Sequence, residues 1–253
     1  MDDLAGKVVL VTGASTGIGA AVAHAFARRG CNVAVHGYTS VAAAEQVAAV
    51  ARQSGVDARV FLADVTNTTA VRLLVNDVED AFGRIDILVN NAGAMVERRR
   101  IEAYDEDYIG RVLQVNVVQV AMFMQAVVPG MRNRKAGNVI NVSSIAARHG
   151  GGNGGIVYAA AKGFIATATR GWAKELAPDG IRVNAVSPGV IDTPFHGRHT
   201  APEQMERMRL QVPLARIGTP EECAGTFLYL ASDGVSGYVT GQVIEVNGGQ
   251  YMP

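Results

Sequence analysis

Lys7-Val8-Val9-Leu10-Val11-Thr12-Gly13-Ala14-Ser15-Thr16-Gly17-Ile18-Gly19 is the stretch on which the fold turns. Its first six residues are apolar almost throughout rather than alternating, which is how a strand covered on both faces reads. Three glycines follow at Gly-x-x-x-Gly-x-Gly spacing, and then an amphipathic run over residues 18–29. A strand, a tight glycine turn and a helix, in that order, bring backbone N–H groups close to an anion at a helix N-terminus, where a pyrophosphate binds. The spacing is not the commoner Gly-x-Gly-x-x-Gly. In a chain with 29 glycines, such a loop has weight only through its place after the first strand.

The same grammar repeats along the chain. Short Val- and Ile-rich runs at 7–12, 32–36, 58–63, 85–90, 138–143, 181–187 and 242–246 read as buried strands. Amphipathic helices are expected at 18–29, 41–54, 68–82, 105–134, 157–177 and 220–231. Several end on glycine, at Gly30, Gly55, Gly83 and Gly180. Repeated right-handed strand–helix–strand units predict an α/β fold. The expectation is a single doubly wound parallel sheet of about seven strands with helices on both faces, one domain over residues 1–253. One irregular excursion, from 188 to about 218, interrupts the pattern, and residues 189–218 read as a substrate lid. In such sheets ligands lie beyond the carboxyl ends of the strands.

Composition excludes several classes. The 253 residues carry 23 basic and 23 acidic side chains, so nothing calls for nucleic acid or an anionic membrane. Cys31 and Cys223 match no metal-ligand spacing, and both read as free packed thiols; no metal is expected. The acidic start, Met1-Asp2-Asp3-Leu4, lacks the apolar core of a signal peptide. The apolar stretch 112–128 is broken by Gln114, Asn116, Gln119 and Gln125, which argues against a membrane span. A cytoplasmic protein is expected.

The chemistry-bearing residues fall just after strands. Asp64-Val65 follows the third, Asn90-Asn91-Ala92-Gly93 the fourth and Ser143-Ser144 the fifth. Asp, Asn and Gly also suit ordinary turns. The Asn pair is able to tie neighbouring strand ends together. Tyr158 and Lys162 lie four apart on an expected helix and share a face. An ammonium there favours the phenolate of a residue whose ordinary pKa is about 10. Seven Tyr and four Lys give about 0.1 such pairs by chance, so the pair needs company. Asn116, a poor helix former, stands inside a long predicted helix.

Together these segments resemble the ordered motif set of the classical branch of the short-chain dehydrogenases/reductases. Residues 12–19, Asp64-Val65, 90–93, Asn116, Ser144, Tyr158/Lys162 and Pro188-Gly189 with Thr193 carry the likeness, which runs to the closing 240–249. The resemblance implies a Rossmann-like fold and a nicotinamide cofactor. It places Gly13, Ser15, Thr16, Gly17, Ile18 and Gly19 on the pyrophosphate side, and Gly37, Tyr38 and Thr39 at the adenosine ribose. Asp64 and Val65 fall at the adenine, and Asn91, Ala92 and Gly93 between the two halves. Pro188, Gly189 and Thr193 would hold the carboxamide, with Ile191 beside them. The implied catalytic set is Asn116, Ser144, Tyr158 and Lys162. Tyr158 exchanges the proton, Ser144 holds the substrate oxygen, Lys162 lowers the Tyr158 pKa and bonds the ribose, and Asn116 keeps a kink and a water chain. The family's serine lies thirteen residues before the tyrosine. Here Ser144 is fourteen before and Ser143 fifteen, and the loop 149–155 would absorb the extra residue.

An acid after strand two binds the ribose hydroxyls of NAD(H) and repels a 2′-phosphate. Gly37 occupies that place and no acid is near, while His36, Tyr38, Thr39 and Ser40 offer hydrogen bonds. NADP(H) is therefore favoured, with NAD(H) second, although Thr16 stands where NADP-preferring members carry a basic residue. The substrate is expected to be a small carbonyl or alcohol. By resemblance it belongs to the 3-oxoacyl-carrier-protein reductase or the sugar and polyol dehydrogenase branch. Residues 95–100 and 193–214 would flank it, the latter with Phe195, His196, Arg198, His199, Arg207 and Arg209. Lys135 and Lys174 stand where carrier-protein reductases have docking residues. A catalytically retired nucleotide-sensing regulator would show a broken Ser/Tyr/Lys set, and extended-family dehydratases or epimerases a longer C-terminal domain; neither feature is present. Helices 105–134 and 157–177 are the expected subunit interface of a homotetramer.

Overall fold

The computed structural model describes residues 1–152 and 154–253, with the side chains of His196, Arg198 and His199 set aside. Its strands are β1 (Val8–Val11), β2 (Asn32–Gly37), β3 (Ala58–Leu62), β4 (Ile87–Asn90), β5 (Gly137–Val142), β6 (Ile181–Pro188) and β7 (Val243–Val246). They form one parallel sheet in the order β3-β2-β1-β4-β5-β6-β7. The order reverses between β1 and β4, and that is where a crevice opens at the carboxyl edge.

The unbroken apolar strands are explained by two cores. Val9 and Val11 of β1, Ile87 and Val89 of β4, and Ile140 and Val142 of β5 face one layer. Leu10, Leu88 and Val139 face the other. Alternate side chains leave opposite faces of a strand, so a sheet covered twice needs apolar residues at every position. The first layer holds α1 (Gly17–Ala27), α2 (Val41–Arg52) and α10 (Pro220–Ala231), through Val22, Phe26, Val47 and Phe227. The second holds α3 (Thr68–Phe82), α5 (Gln119–Arg134) and α7 (Ile156–Leu176), through Leu74, Val78, Phe123 and Leu176. Full burial of each such side chain stabilises the fold by about 1.5–3 kcal/mol. Cys31 and Cys223 are buried free thiols, and burial pushes both up to about 12.

Before α5 stands α4 (Glu106–Leu113), joined to it by a π-turn over Gln114–Val118. The combined helix Glu106–Arg134 is long and apolar enough to cross a membrane. Its apolar face is committed to the sheet, with Phe123, Val127 and Met131 inaccessible. Short helices α6 (Ala146–His149), α8 (Pro194–His199), α9 (Pro202–Leu210) and α11 (Asp233–Ser236) were not legible as amphipathic runs. The excursion read as irregular thus contains α8 and α9, the latter started by Pro202 in its first turn. Its base is closed by a parallel bridge between Ile191 and Gly218, with Asp192 N–H donating to Gly218 O at 2.8 Å.

Candidate active site

A cleft of about 1060 Å³ runs along the carboxyl edge of the sheet. From the end of β3 to the end of β5 it crosses four inter-strand steps, on the order of 20 Å. Every residue expected at the cofactor lines it, from Gly13 to Thr193, as do Ser143, Ser144, Tyr158 and Lys162. Asn116 stands behind the wall.

The glycine loop is shaped by close approach. Gly13 holds φ at 63°, and a Cβ on Gly19 would lie 2.4 Å from Gly13 O and 2.6 Å from Asn91 Nδ2. Only hydrogen fits there. The Asn pair does tie strands together. Asn91 Nδ2 donates to Thr12 O at 2.8 Å and Gly13 O at 3.1 Å. Asn90 Nδ2 donates to Asn141 Oδ1 at 2.9 Å, and Asn141 Nδ2 passes the chain to Thr169 Oγ1 at 3.0 Å. Thr12, unremarked in the sequence, accepts from Asn91 N–H and Ala92 N–H, both at 3.0 Å, through its Oγ1. The switch point is therefore stitched by fixed hydrogen bonds before any ligand arrives.

His36 is a correction. It was expected to offer a hydrogen bond to a phosphate, yet it is buried among backbone groups. Gly13 N–H donates to its Nδ1 at 2.9 Å, and Nε2 sits 3.1 Å from Ala63 O. These partners require the neutral ring with the proton on Nε2, and burial lowers its pKa. His36 thus fastens β2 to the glycine loop and to β3. His36 still lines the cleft together with Tyr38, Thr39 and Ser40, but both of its ring nitrogens are already engaged. The Asp64 carboxylate accepts from Thr66 Oγ1 at 2.7 Å and Thr66 N–H at 2.9 Å. Those bonds, with a further one from Tyr38, hold its pKa below the ordinary value although burial opposes them.

Ser144 and Tyr158 line the same cleft despite the extra residue between them, and Ser144 is close enough to pull the phenol's pKa down. Glycines at 150, 151 and 154 take positive φ and let the chain double back; Asn153 lies outside the described residues. Ser143 faces elsewhere, donating to Lys162 O at 2.9 Å. The Tyr158 ring keeps some exposure to the cleft, but protein crowds its phenol and pushes it up to about 12, while Ser144 pulls the other way. Lys162 is 4% exposed; burial pushes it down to about 8. Its Nζ donates to Val142 O at 2.9 Å and sits 5.8 Å from the Tyr158 ring centroid. The expected downward pull of Lys162 on the phenol is therefore not what sets its ionisation here; burial is.

Asn116 lies in the π-turn, which confirms a local distortion at that residue. Its Nδ2 donates to Ala94 O at 2.7 Å and Val112 O at 2.9 Å, and its Oδ1 accepts from Ala94 N–H at 3.1 Å. It clamps the segment after β4 to the helix. A Cβ on Gly93 would lie 2.8 Å from Asn116 Oδ1 and 3.1 Å from Lys162 Nζ, so Gly93 lets the three close up. Gln119 extends the clamp, Nε2 donating to Ala92 O at 2.9 Å. Sequence reading missed it, although Gln119 lies three residues from Asn116 and so on the same helical face.

The cradle at Gly13 and Gly19, the N-terminus of α1 and the long stitched cleft fit an extended dinucleotide. Comparisons with known proteins agree. A family model described as enoyl-(acyl carrier protein) reductase matches residues 13–250. The chain is 41% identical over 249 residues to the 3-oxoacyl-[acyl-carrier-protein] reductase FabG of Thermotoga maritima, covering 97% of this chain and 98% of that one. It is 40% identical over 252 residues to the 3-oxoacyl-[acyl-carrier-protein] reductase of Synechocystis, covering all of both. Among solved structures, an NADH-dependent reductase A1-R′ responsible for alginate metabolism superposes with TM-score 0.92 at 36% identity, with both chains fully covered. Its NAD complex superposes at 0.89. The chain belongs to the short-chain dehydrogenase/reductase family and is an NAD(P)-dependent oxidoreductase.

Proposed function

We propose that this oxidoreductase interconverts a ketone and a secondary alcohol, with Tyr158 as general acid and base. The observation that carries the reading is the gathering of Ser144, Tyr158 and buried Lys162 at the wall of the nucleotide cleft, with Lys162 Nζ 5.8 Å from the Tyr158 ring centroid. When bound, the nicotinamide supplies or accepts the hydride. Gly13, Ser15, Thr16, Gly17, Ile18 and Gly19 hold its pyrophosphate by backbone N–H groups. Asp64 and Val65 flank the adenine, and Asn91, Ala92 and Gly93 line the middle. Pro188, Gly189, Ile191 and Thr193 face the nicotinamide. In reduction Tyr158 gives its phenolic proton to the substrate oxygen, which Ser144 orients by a hydrogen bond. A phenol held up near 12 is fully protonated at neutral pH, as a donor must be. Asn116 fixes the backbone at residue 94 and, with water, resupplies the proton by way of Lys162. The test is Tyr158→Phe: turnover drops at least about 100-fold with cofactor binding intact. Near-normal turnover refutes the assignment.

The favoured reaction is NADPH-dependent reduction of a 3-oxoacyl-type or other small carbonyl, in the cytoplasm, by a homotetramer with residues 189–218 as lid. NADP(H) is supported by Gly37, by the absence of any acid but Asp64 among the described cleft-lining residues, and by the engagement of Asp64 with Thr66. NADH binding at least about tenfold tighter than NADPH overturns it. A sugar or polyol substrate is the second reading, favoured by the structural neighbour from alginate metabolism. Carrier-protein docking would use Lys174 and Lys135, the latter exposed and held by a surface pair with Asp179 at 2.7 Å that costs little to exchange.

A further inference from the structure

Ser144 reaches the cleft from a turn that packing alone does not hold. The turn is α6, which buries none of its four residues. Ser144 is built into it: its Oγ accepts from Ala146 N–H at 3.1 Å, and its carbonyl from Ala147 N–H at 2.9 Å. Beyond α6 come five glycines, at 150, 151, 152, 154 and 155, before the helix that carries Tyr158. Glycine-rich chain has the most conformational freedom to lose. The turn is pinned at its start, where Ile145 N–H donates to Pro188 O at 2.9 Å.

Arg148 pins the other end. It stands four residues after Ser144 and does not line the cleft. Its Nε donates to Glu245 Oε1 at 2.7 Å, and the two side chains are 20% and 9% exposed. Its guanidinium carbon lies 5.4 Å from the centroid of the Tyr251 ring. Among the described residues this is the polar side-chain tie that α6 makes outside its own loop; His149 Nδ1 turns back to Gly151 O. The far anchor is itself fixed. Glu245 stands on β7 in register with Ser187 of β6. Asn247 Nδ2 donates to Tyr251 O at 3.0 Å, and Asn247 Oδ1 accepts from Gly249 N–H at 3.0 Å. A Cβ on Gly189 would lie 2.7 Å from Asn247 Cα, so this segment packs directly on the strand end beside the cleft. A charge-assisted pair at such depth is directional and is screened far less than one on the surface.

Resting on the ketone–alcohol reading above, we propose that Arg148 is a positioning residue: its pair with Glu245 and its seat on the Tyr251 ring fix the turn that aims Ser144 at the substrate oxygen. Arg148 touches neither substrate nor cofactor and acts through Ser144. A loosened turn keeps the hydroxyl in the cleft but off its line. A displacement of about 1 Å at such a group lowers a rate on the order of 100-fold. The effect falls on kcat, because the glycine loop that cradles the dinucleotide lies on other strands.

The test uses the purified full chain with saturating reduced cofactor and acetoacetyl-N-acetylcysteamine, or the best of a panel of ketones. Arg148→Met and Glu245→Met each lower kcat about tenfold or more, with the cofactor Kd within about threefold of the wild type. The double variant is no worse than either single one, and Arg148→Lys recovers part of the rate. In a Ser144→Ala background Arg148→Met has no further effect on kcat. A kcat within about twofold of the wild type in both single variants overturns the proposal, as does an undiminished Arg148→Met effect without Ser144. A cofactor Kd that weakens as much as kcat falls also overturns it, because that is general damage. Backbone hydrogen exchange needs no substrate. Amides 146–151 should exchange at least about tenfold faster in both variants, while those of β5 and α7 keep wild-type rates. Unchanged exchange at 146–151 overturns the proposal whatever the kinetics. Glu245→Gln, the milder change, carries the same readings where a methionine variant fails to fold. Ser144→Ala with wild-type turnover strikes the ketone–alcohol reading instead, and exchange at 146–151 then decides whether Arg148 holds the turn.

Discussion

Replacing Lys162 by Met should make the stability of this protein less dependent on pH, while abolishing function. Lys162 is buried and its ionisation is pushed from the ordinary 10.5 down to about 8. The depressed value means that the folded state binds this proton less readily than the unfolded chain does. The unfolded state therefore carries the extra proton between about pH 8 and 10.5, and stability rises with pH across that window. Below it the full cost of the buried charge is present, about 3 kcal/mol at pH 7, and it shrinks to about 1 kcal/mol at pH 10. Met keeps most of the volume and none of the charge. It leaves Val142 O without its donor, a loss of about 1–3 kcal/mol that does not vary with pH. Urea unfolding of both proteins at pH 7 and pH 10 isolates the charge. The stability of the wild type relative to the variant should improve by about 2 kcal/mol on going to pH 10, because titrations common to both cancel. Equal changes in the two proteins would refute the burial argument for Lys162.

Two further substitutions follow from the same geometry. Gly19→Ala places a methyl 2.4 Å from a backbone oxygen that cannot retreat. It should destabilise the fold by about 1–3 kcal/mol and weaken cofactor binding, measured by thermal unfolding and fluorescence titration, and a variant with native affinity would show that the cradle is not the binding element. Gly37→Asp brings a Cβ to 3.2 Å from Ala44 Cβ and 3.5 Å from Leu62 Cδ2, so α2, which carries Ala44, must give by a few tenths of an ångström. It should lower NADPH affinity at least about tenfold and favour NADH, because the new carboxylate faces the 2′-phosphate; an unchanged ratio of the two dissociation constants would count against NADP(H).

What the sequence made legible was the periodic part. Val9, Leu10 and Val11 are apolar in succession because each faces one of two cores, and that pattern alone implied a doubly covered parallel sheet. The glycine loop and the Asn pair were legible because close approach and strand-end ties demand particular residue types. His36 was misread because its place after strand two says nothing about which way the ring turns; it turns inward, between Gly13 N–H and Ala63 O. Helix α9 was missed because it buries no residue and so carries no apolar stripe, and α8 because six residues are too few to show a period. The ionisation of Tyr158 was misjudged for a related reason. Spacing put Lys162 on its face, but the sign of the shift depends on how much protein crowds the phenol, which spacing does not encode.

That last point bears on direction. In this structure the two groups of the Tyr158/Lys162 pair are both displaced towards neutrality: burial lifts the phenol to about 12 and lowers the ammonium to about 8. Neither shift is the work of an opposite charge. A neutral donor beside a cation that gives up its proton near working pH suits delivery of a proton to a nascent alkoxide, and Lys162 is the nearer group to replenish it. Oxidation needs the reverse, a phenolate to take the proton, and burial, which pushes the phenol up to about 12, opposes that. Any contribution that restores the phenolate must come from groups brought in by binding, because Ser144, the one side chain that lowers the phenol here, does not overcome burial. The fixed part of the site holds Tyr158 as the protonated donor that the proposed reduction uses. It follows that the oxidative rate should rise with pH over the same range in which the reductive rate does not change with Tyr158, since one ionisation governs both.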